Sequence, residues 1–491
     1  MTTPASEWAA HIPDEERYFM SDRALAASDR KREISARNEG HPVRLAAKPL
    51  ALALAAGPAG ALFLGLADCT IVRLDLTTMR LDDPASALVG HTGPVTGLAH
   101  FVLRAPDGTA ARAGPLLASA SWDRTVRLWD PATGECLAQL GTALQSIAAP
   151  AAAAAAPRPG LVLPGGHTEF VKAVCVTDLP AGALGALLPA GASPTVIWSS
   201  GTDGALRAWA LVPGPEGRIQ AAREVLQVRF GRGSLEGLAF DAANGILSVG
   251  TSLGQVHRFS LAPNEGGSFV GVVADADGVA RVADGPAHAT ASAQRFETNV
   301  THLAMLSLAD GTSVECAVSA QKLACLAPLD PQDPNPPVIL DHTILARSSH
   351  SLRCIAAGHG SATGGHGALL AAVGSECGRI FLWDRQDPKR PVLQIQAHGD
   401  AVSGLVFPFP GPEGAPLTSE LISIGLDATV RFWRPEGSLP LPRGRESLVD
   451  RAAKLYADPE ADKAQAMKQK YDELFDELFA TSDEEEQEQD Q

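Results

Sequence analysis

The sequence predicts an all-β protein built from repeats of one antiparallel-sheet unit, with helical segments outside the repeats at both ends. A recurring phrase is the first observation. Gly90-His91-Thr92-Gly93-Pro94-Val95 is followed by Ser119-Ala120-Ser121-Trp122-Asp123-Arg124-Thr125-Val126-Arg127-Leu128-Trp129-Asp130. The phrase returns as Gly166-His167-Thr168 with Gly201–Trp209, and as Ala397-His398-Gly399 with Gly425–Trp433. A further copy keeps mainly its end, Gly378–Asp384. The second observation is period-two alternation between Gly- and Asp-bearing turns, which antiparallel strands require. The third is the supply of turn formers, 47 Gly and 36 Pro in 491 residues, as many short strands demand.

Each clear copy reads the same way. After the Gly-His pair comes an alternating strand (Val95, Leu98; Val171, Val174; Val402, Leu405, Phe407). A second strand follows (Leu116–Ser119; Val196–Ser199; Leu421–Ser423), then a tight turn carrying Asp, then a third strand ending in Trp. Repeats at this spacing decide the fold before any local reading does. The pattern resembles the WD-repeat family, whose units are the four-stranded blades of a β-propeller. The resemblance implies a hydrogen-bonded network inside each blade. It would use His91, Asp123, Ser119 or Ser121, and Trp129, with matching sets His167/Asp203/Trp209 and His398/Asp427/Trp433. A catalytic His/Asp pair would be needed once; three copies argue for a structural role.

The expected architecture is one propeller over residues 45–440, most simply of seven blades, near 47–80, 90–135, 166–212, 225–262, 296–330, 349–392 and 397–440. Leu50–Leu76 is a worn copy in which Asp75 stands where the Asp of Trp-Asp would. In Leu235–Leu261, Phe259-Ser260 replaces Trp-Asp and Leu253 stands near the missing turn Asp. Asn299–Leu326 is the weakest copy. Seven sheets would close a ring, and closure spares a repeat protein long unpaired edges. Repeats that share neighbour-to-neighbour cores let so long a chain form one unit.

Seven scattered Cys without a Cys-x-x-Cys pair point to reduced thiols inside the cell and away from zinc. The first residues lack a signal-peptide pattern. Pro49–Ala67 runs 19 residues without a charge, but Gly57-Pro58-Ala59-Gly60 at its midpoint reads as a hairpin turn rather than a membrane anchor. Ile147–Gly160, Asn264–Gln294, Ser361–Gly367 and Pro408–Pro416 read as loops that interrupt the ring.

The ends lie outside the repeats. Residues 1–44 form a charged extension, helical from about Ser21 to Asn38 and stopping at Gly40; Pro42–Leu45 is a candidate outer strand for the last blade. Residues 441–480 hold a linker and a helix that starts at Asp458-Pro459. Ala464, Met467, Tyr471, Leu474, Phe475, Leu478 and Phe479 make one continuous apolar face, which must bury itself against the protein's own ring or in a partner's groove. Residues 481–491 are an acidic, disordered tail. Ten acidic residues lie beyond position 470, so the formal charge of −16 would be about −6 without them. Thr481 and Ser482 stand before the acidic run, where acid-preferring kinases act.

Nucleotide-binding glycine loops, His-Glu-x-x-His and Gly-x-Ser-x-Gly are missing from the sequence. The His/Gly cluster at Gly358–Gly360 and Gly364–Gly367 reads as loop, so no catalytic residue, cofactor or metal is expected. The acidic balance and few aromatics disfavour nucleic acid as a direct partner, and no small-molecule substrate or membrane insertion is expected. The resemblance implies a non-enzymatic scaffold or adaptor in a cytoplasmic or nuclear complex, with proteins as partners. The residues before each turn Asp (Trp122, Thr202, Leu426) are candidate contacts, and Trp122 is the strongest because an exposed aromatic can anchor a partner. A chaperone-like escort of a basic client, such as a ribosomal protein or histone drawn to the tail, is a second reading. A ubiquitin-ligase receptor is a third, weakened because Trp129-Asp130-Pro131-Ala132 and Trp383-Asp384-Arg385-Gln386 lack the Arg of the family's docking motif.

Overall fold

Alternating strands can bury one face only if sheets stack on sheets, and here they stack side by side. The structure, a computed structural model, describes residues 22–433 except 38, 56–59, 143–159, 164, 180–183, 185–186, 264–266, 276, 308–312, 321–322, 329–337, 342–350, 361–367, 385–392 and 409–420. Among the described residues the strands form seven sheets of four or five strands. Their first strands are Pro49–Leu54, Val95–Phe101, Val171–Asp178, Leu235–Asp241, Val300–Ser307, Leu352–Gly360 and Val402–Val406. Each of these packs beside the next, and Val402–Val406 packs beside Pro49–Leu54. The arrangement is that of a propeller around a central channel.

The cores lie between neighbouring sheets. Leu62, Leu64 and Leu74 of the first sheet pack with Ile422, Ile424 and Phe432 of the last. Trp198 and Leu206 of the third pack with Leu247 and Phe259 of the fourth. Fully burying each such side chain stabilises by about 1.5–3 kcal/mol. The uncharged stretch from Pro49 is the expected hairpin, Pro49–Leu54 paired antiparallel with Ala61–Leu66. No helix among the described residues is long and apolar enough to cross a membrane.

The N-terminal segment closes the last sheet. Val43 and Arg44 pair with Val430 and Thr429, and the Phe432 amide donates to Gly40 O at 2.7 Å. Gly40 has φ +69°, and a Cβ there would lie 2.8 Å from the Trp433 ring, so only glycine fits this corner. A helix, α1, precedes it at Asp22–Ala36, slightly shorter than the sequence suggests.

Several sequence expectations need correction. The third sheet does not end near 212: Ile219–Arg229 is its next strand, so the fourth sheet starts at Leu235, not 225. The stretch Asn264–Gln294 is not simply a loop. Ala280–Val282 pairs parallel with the Ile219–Arg229 strand, and Ala291–Gln294 is the outer strand of the fourth sheet. Phe269 is buried and stacks on Phe259 and Trp198. Three- and four-residue strands rich in Ala and Ser carry too little alternation to be read. The fifth sheet extends past 330 to Val338–Asp341. Gly358–Gly360 ends a strand, Leu352–Gly360, rather than forming a loop. The tract at 147–159, His366, the C-terminal helix and the acidic tail lie outside the described residues.

Candidate interaction face at the turn end of the ring

The repeated His, Asp, Ser and Trp meet in three sheets with the same connectivity. In the second sheet Trp129 Nε1 donates to Ser119 Oγ at 2.8 Å. Ser119 Oγ lies 2.7 Å from His91 Nε2, and His91 Nδ1 lies 2.8 Å from Asp123 Oδ2. Asp123 also accepts from the amides of Thr92 and Thr125 at 3.1 and 3.0 Å and from Thr125 Oγ1 at 2.6 Å. The third sheet repeats this with Trp209, Ser199, His167 and Asp203 at 3.0, 2.9 and 2.9 Å. The last sheet uses Trp433, Ser423, His398 and Asp427 at 2.8, 2.8 and 2.9 Å. Ser121, the alternative partner in the second sheet, instead donates to Gly93 O at 2.8 Å.

One proton arrangement satisfies every member. Trp N–H donates to Ser, Ser O–H donates to a neutral imidazole Nε2, and Nδ1–H donates to the carboxylate. Burial lowers the pKa of His91 and His398 more than the adjacent carboxylates raise it. Burial raises the pKa of each Asp, but the imidazole and the turn donors outweigh it. Asp123 and Asp427 are held well below the usual carboxylate range, and Asp203 at about 2.

Atom for atom, Ser119, His91 and Asp123 have the connectivity of a hydrolytic triad. They lack access: all three are buried, with Ser119 at 0% exposure. The Trp129 N–H also occupies the Ser oxygen that would attack. Among the described residues no group of three or more His, Cys, Asp or Glu could hold a metal.

What the networks position is the turn that follows. The three candidate contact residues have their amides pinned the same way: Trp122 to Pro94 O at 3.1 Å, Thr202 to Phe170 O at 2.9 Å and Leu426 to Ala401 O at 2.8 Å. Trp122 and Leu426 line the mouth of the central channel, a cavity of about 580 Å³ whose wall draws on all seven first strands. Thr202 is half-buried and not part of that wall. Charges along the channel are paired, Lys172 with Glu236 at 3.4 Å and Arg353 with Glu376 at 3.1 Å.

Trp122 is 39% exposed and stacks on Phe170 of the next sheet, 42% exposed, with ring centroids 5.2 Å apart. Sequence reasoning missed Phe170. Aligning the copies would have found it, because Phe170 falls where the second copy has Pro94. Tyr471, Leu474, Phe475, Leu478 and Phe479 lie outside the described residues.

Residues 83–130, which contain the first of these networks, match the WD domain, G-beta repeat family. The chain carries a WD repeat and resembles WD-repeat proteins. It is also 32% identical over 125 residues, 25% of its length, to an uncharacterized WD repeat-containing protein of Schizosaccharomyces pombe. The match spans 32% of that relative's length. WD-repeat propellers generally act as protein–protein interaction scaffolds, and the buried networks are the internal fasteners of such blades. This chain has full networks of that kind in its second, third and last sheets. The sixth sheet has Val373 opposite Phe381, where the second has Ser119 opposite Arg127. Its Trp383 Nε1 is buried with no partner among the described residues.

Proposed function

We propose that this WD-repeat protein is a non-enzymatic adaptor with a seven-bladed ring, acting inside the cell. It holds a partner protein against the turn end of the ring, around Trp122 and Phe170. The observation that carries this reading is the exposed aromatic stack at the channel mouth. Both side chains are large and apolar, both are held by pinned turns, and together they offer a rigid anchor that loses little entropy on binding. The paired charges along the channel favour a peptide or domain over a small ion. The six described cysteines, all unbridged, support a reducing compartment. The buried networks leave no accessible nucleophile among themselves, which supports a binding role over a catalytic one.

Affinity purification with mass spectrometry tests the reading on the intact chain and on Trp122→Ala/Phe170→Ala. A defined set of proteins lost by the variant, with its melting curve retained, is the expected result. An unchanged set would overturn the proposed face. The acidic tail favours one second reading, escort of a basic client. On that reading, removing residues 481–491 would release ribosomal proteins or histones and leave other partners in place.

A further inference from the structure

The C-terminal end of α1 is held on the turn end of the last sheet almost wholly by polar contacts. Arg431, 1% exposed, donates through Nη2 to the carbonyls of Ile34 and Ser35 at 3.3 and 3.2 Å. Through Nη1 it reaches Arg37 O at 3.1 Å and also Glu39 O. A guanidinium thus satisfies the carbonyls that a helix end leaves open, and its charge complements the helix dipole. Lys31 Nζ pairs with Asp400 Oδ1 at 3.3 Å on the exposed side. Ile34 is the one buried apolar residue among the described side chains of the helix.

Ser35 sits at the centre of this latch. Its Oγ lies 3.1 Å from Asp427 Oδ2 and 3.0 Å from Lys31 O. The backbone comes so close that a Cβ on Gly399 would lie 2.2 Å from both Ser35 Oγ and Lys31 O. Three cations, Arg30, Lys31 and Arg32, stand five, four and three positions ahead of Ser35. That spacing suits the acidic substrate grooves of basophilic serine kinases. The side chains of this run make outward pairs, Lys31 with Asp400 and Arg32 with Asp29.

We propose that Ser35 is a phosphorylation site for a basophilic protein kinase, and that the phosphate releases α1 from the ring. Ser35 Oγ would attack the γ-phosphorus of a nucleoside triphosphate. The new O–P bond forms as the β,γ-bridging P–O bond breaks, the hydroxyl proton passes to the kinase's base, and the diphosphate leaves. The product places a near-dianion against the Asp427 carboxylate, which its own network keeps ionised, and at the negative end of the helix dipole. Both placements disrupt a docked helix. Arg431 offers no escape, because turning to the phosphate would strip it from the carbonyls that hold α1. Modification captures molecules in which the helix is free of the ring, and then prevents its return.

The test uses the full chain, a basophilic kinase with ATP and magnesium, and hydrogen exchange read by mass spectrometry. Phosphate on Ser35 should raise exchange across 22–36 about tenfold or more, with the strands of the last sheet still protected. Ser35→Glu should move the same way, and Ser35→Ala should stay close to wild type. No phosphate on Ser35 would overturn the modification site. Phosphorylated protein with unchanged protection at 22–36 would overturn the release. Neither readout depends on where a partner binds.

Discussion

Ser199 and Ser200 are neighbours on one strand, both 0% exposed, and their hydroxyls have opposite fates. Ser199 Oγ accepts from Trp209 Nε1 at 3.0 Å and lies 2.9 Å from His167 Nε2. Ser200 Oγ has no partner among the described residues. Replacing either by Ala removes one oxygen from a fully buried site, so packing and cavity costs are nearly equal. Ser199→Ala strands two buried polar atoms at about 1–3 kcal/mol each; recovering the hydroxyl's own desolvation brings the loss to about 2–4 kcal/mol. Ser200→Ala removes an orphan and should lie within about 1 kcal/mol of wild type, on the stabilising side. Urea unfolding followed by tryptophan fluorescence, with the partner face left unmutated, reads the difference directly. Equal midpoints for the two variants would refute the view that the networks hold the blades.

Other consequences follow from the same geometry. Trp129→Phe should cost about 1–2 kcal/mol more than Trp383→Phe in thermal or urea unfolding, because only Trp129 donates to a serine. Stability should fall as pH drops below 6.5. His91 and His398 have folded pKa values depressed below that value, and burial takes the half-buried His302 down to about 4. The folded state therefore refuses protons that the unfolded chain accepts, and each histidine adds a slope of up to about 1.4 kcal/mol per pH unit. That contribution is full above pH 6.5 and lost on acidification; unfolding midpoints that stay flat from pH 7.5 to 4.5 would refute it. Glu315→Ala should destabilise by about 3–5 kcal/mol in the same assay. It removes the carboxylate that receives Arg258 twice at 3.0 Å and Ser248 Oγ at 2.6 Å.

The repeat was legible where four side chains had to stay together. His91, Ser119, Asp123 and Trp129 are spread over 39 positions, yet each fixes the type of the others, so the spacing survives in sequence. The N-terminal strand was legible for a related reason: Val43 and Arg44 had an unpaired edge at Thr429 and Val430 to meet. The outer strands were not legible. Ala291–Gln294 needs only backbone hydrogen bonds to join the fourth sheet, and backbone bonds leave no mark on composition. The anchoring aromatic Phe170 and the helix-capping Arg431 escaped for another reason. Each acts on a neighbour far along the chain, and Arg431 has the same residue type as Arg127 and Arg207 at the equivalent place in other copies.

That equivalence shows how one repeat position is put to different uses. Arg127 lies 6.0 Å from the centre of the Trp129 ring, Arg207 pairs with Glu224 of its own sheet, and Arg431 caps α1. In the fourth sheet Phe259 and Leu253 replace the Trp and Asp of the network. There the equivalent position holds His257, and the adjacent Arg258 reaches across to Glu315 of the fifth sheet. In the fourth sheet, where the network is lost, this charged pair supplies orientation, and the apolar cluster that holds Phe259 and Trp198 supplies adhesion. The networks thus specify strand arrangement rather than drive folding, which is what a buried and fully satisfied polar set does best. A worn repeat can then remain a working blade, because its neighbours already fix where its strands must lie.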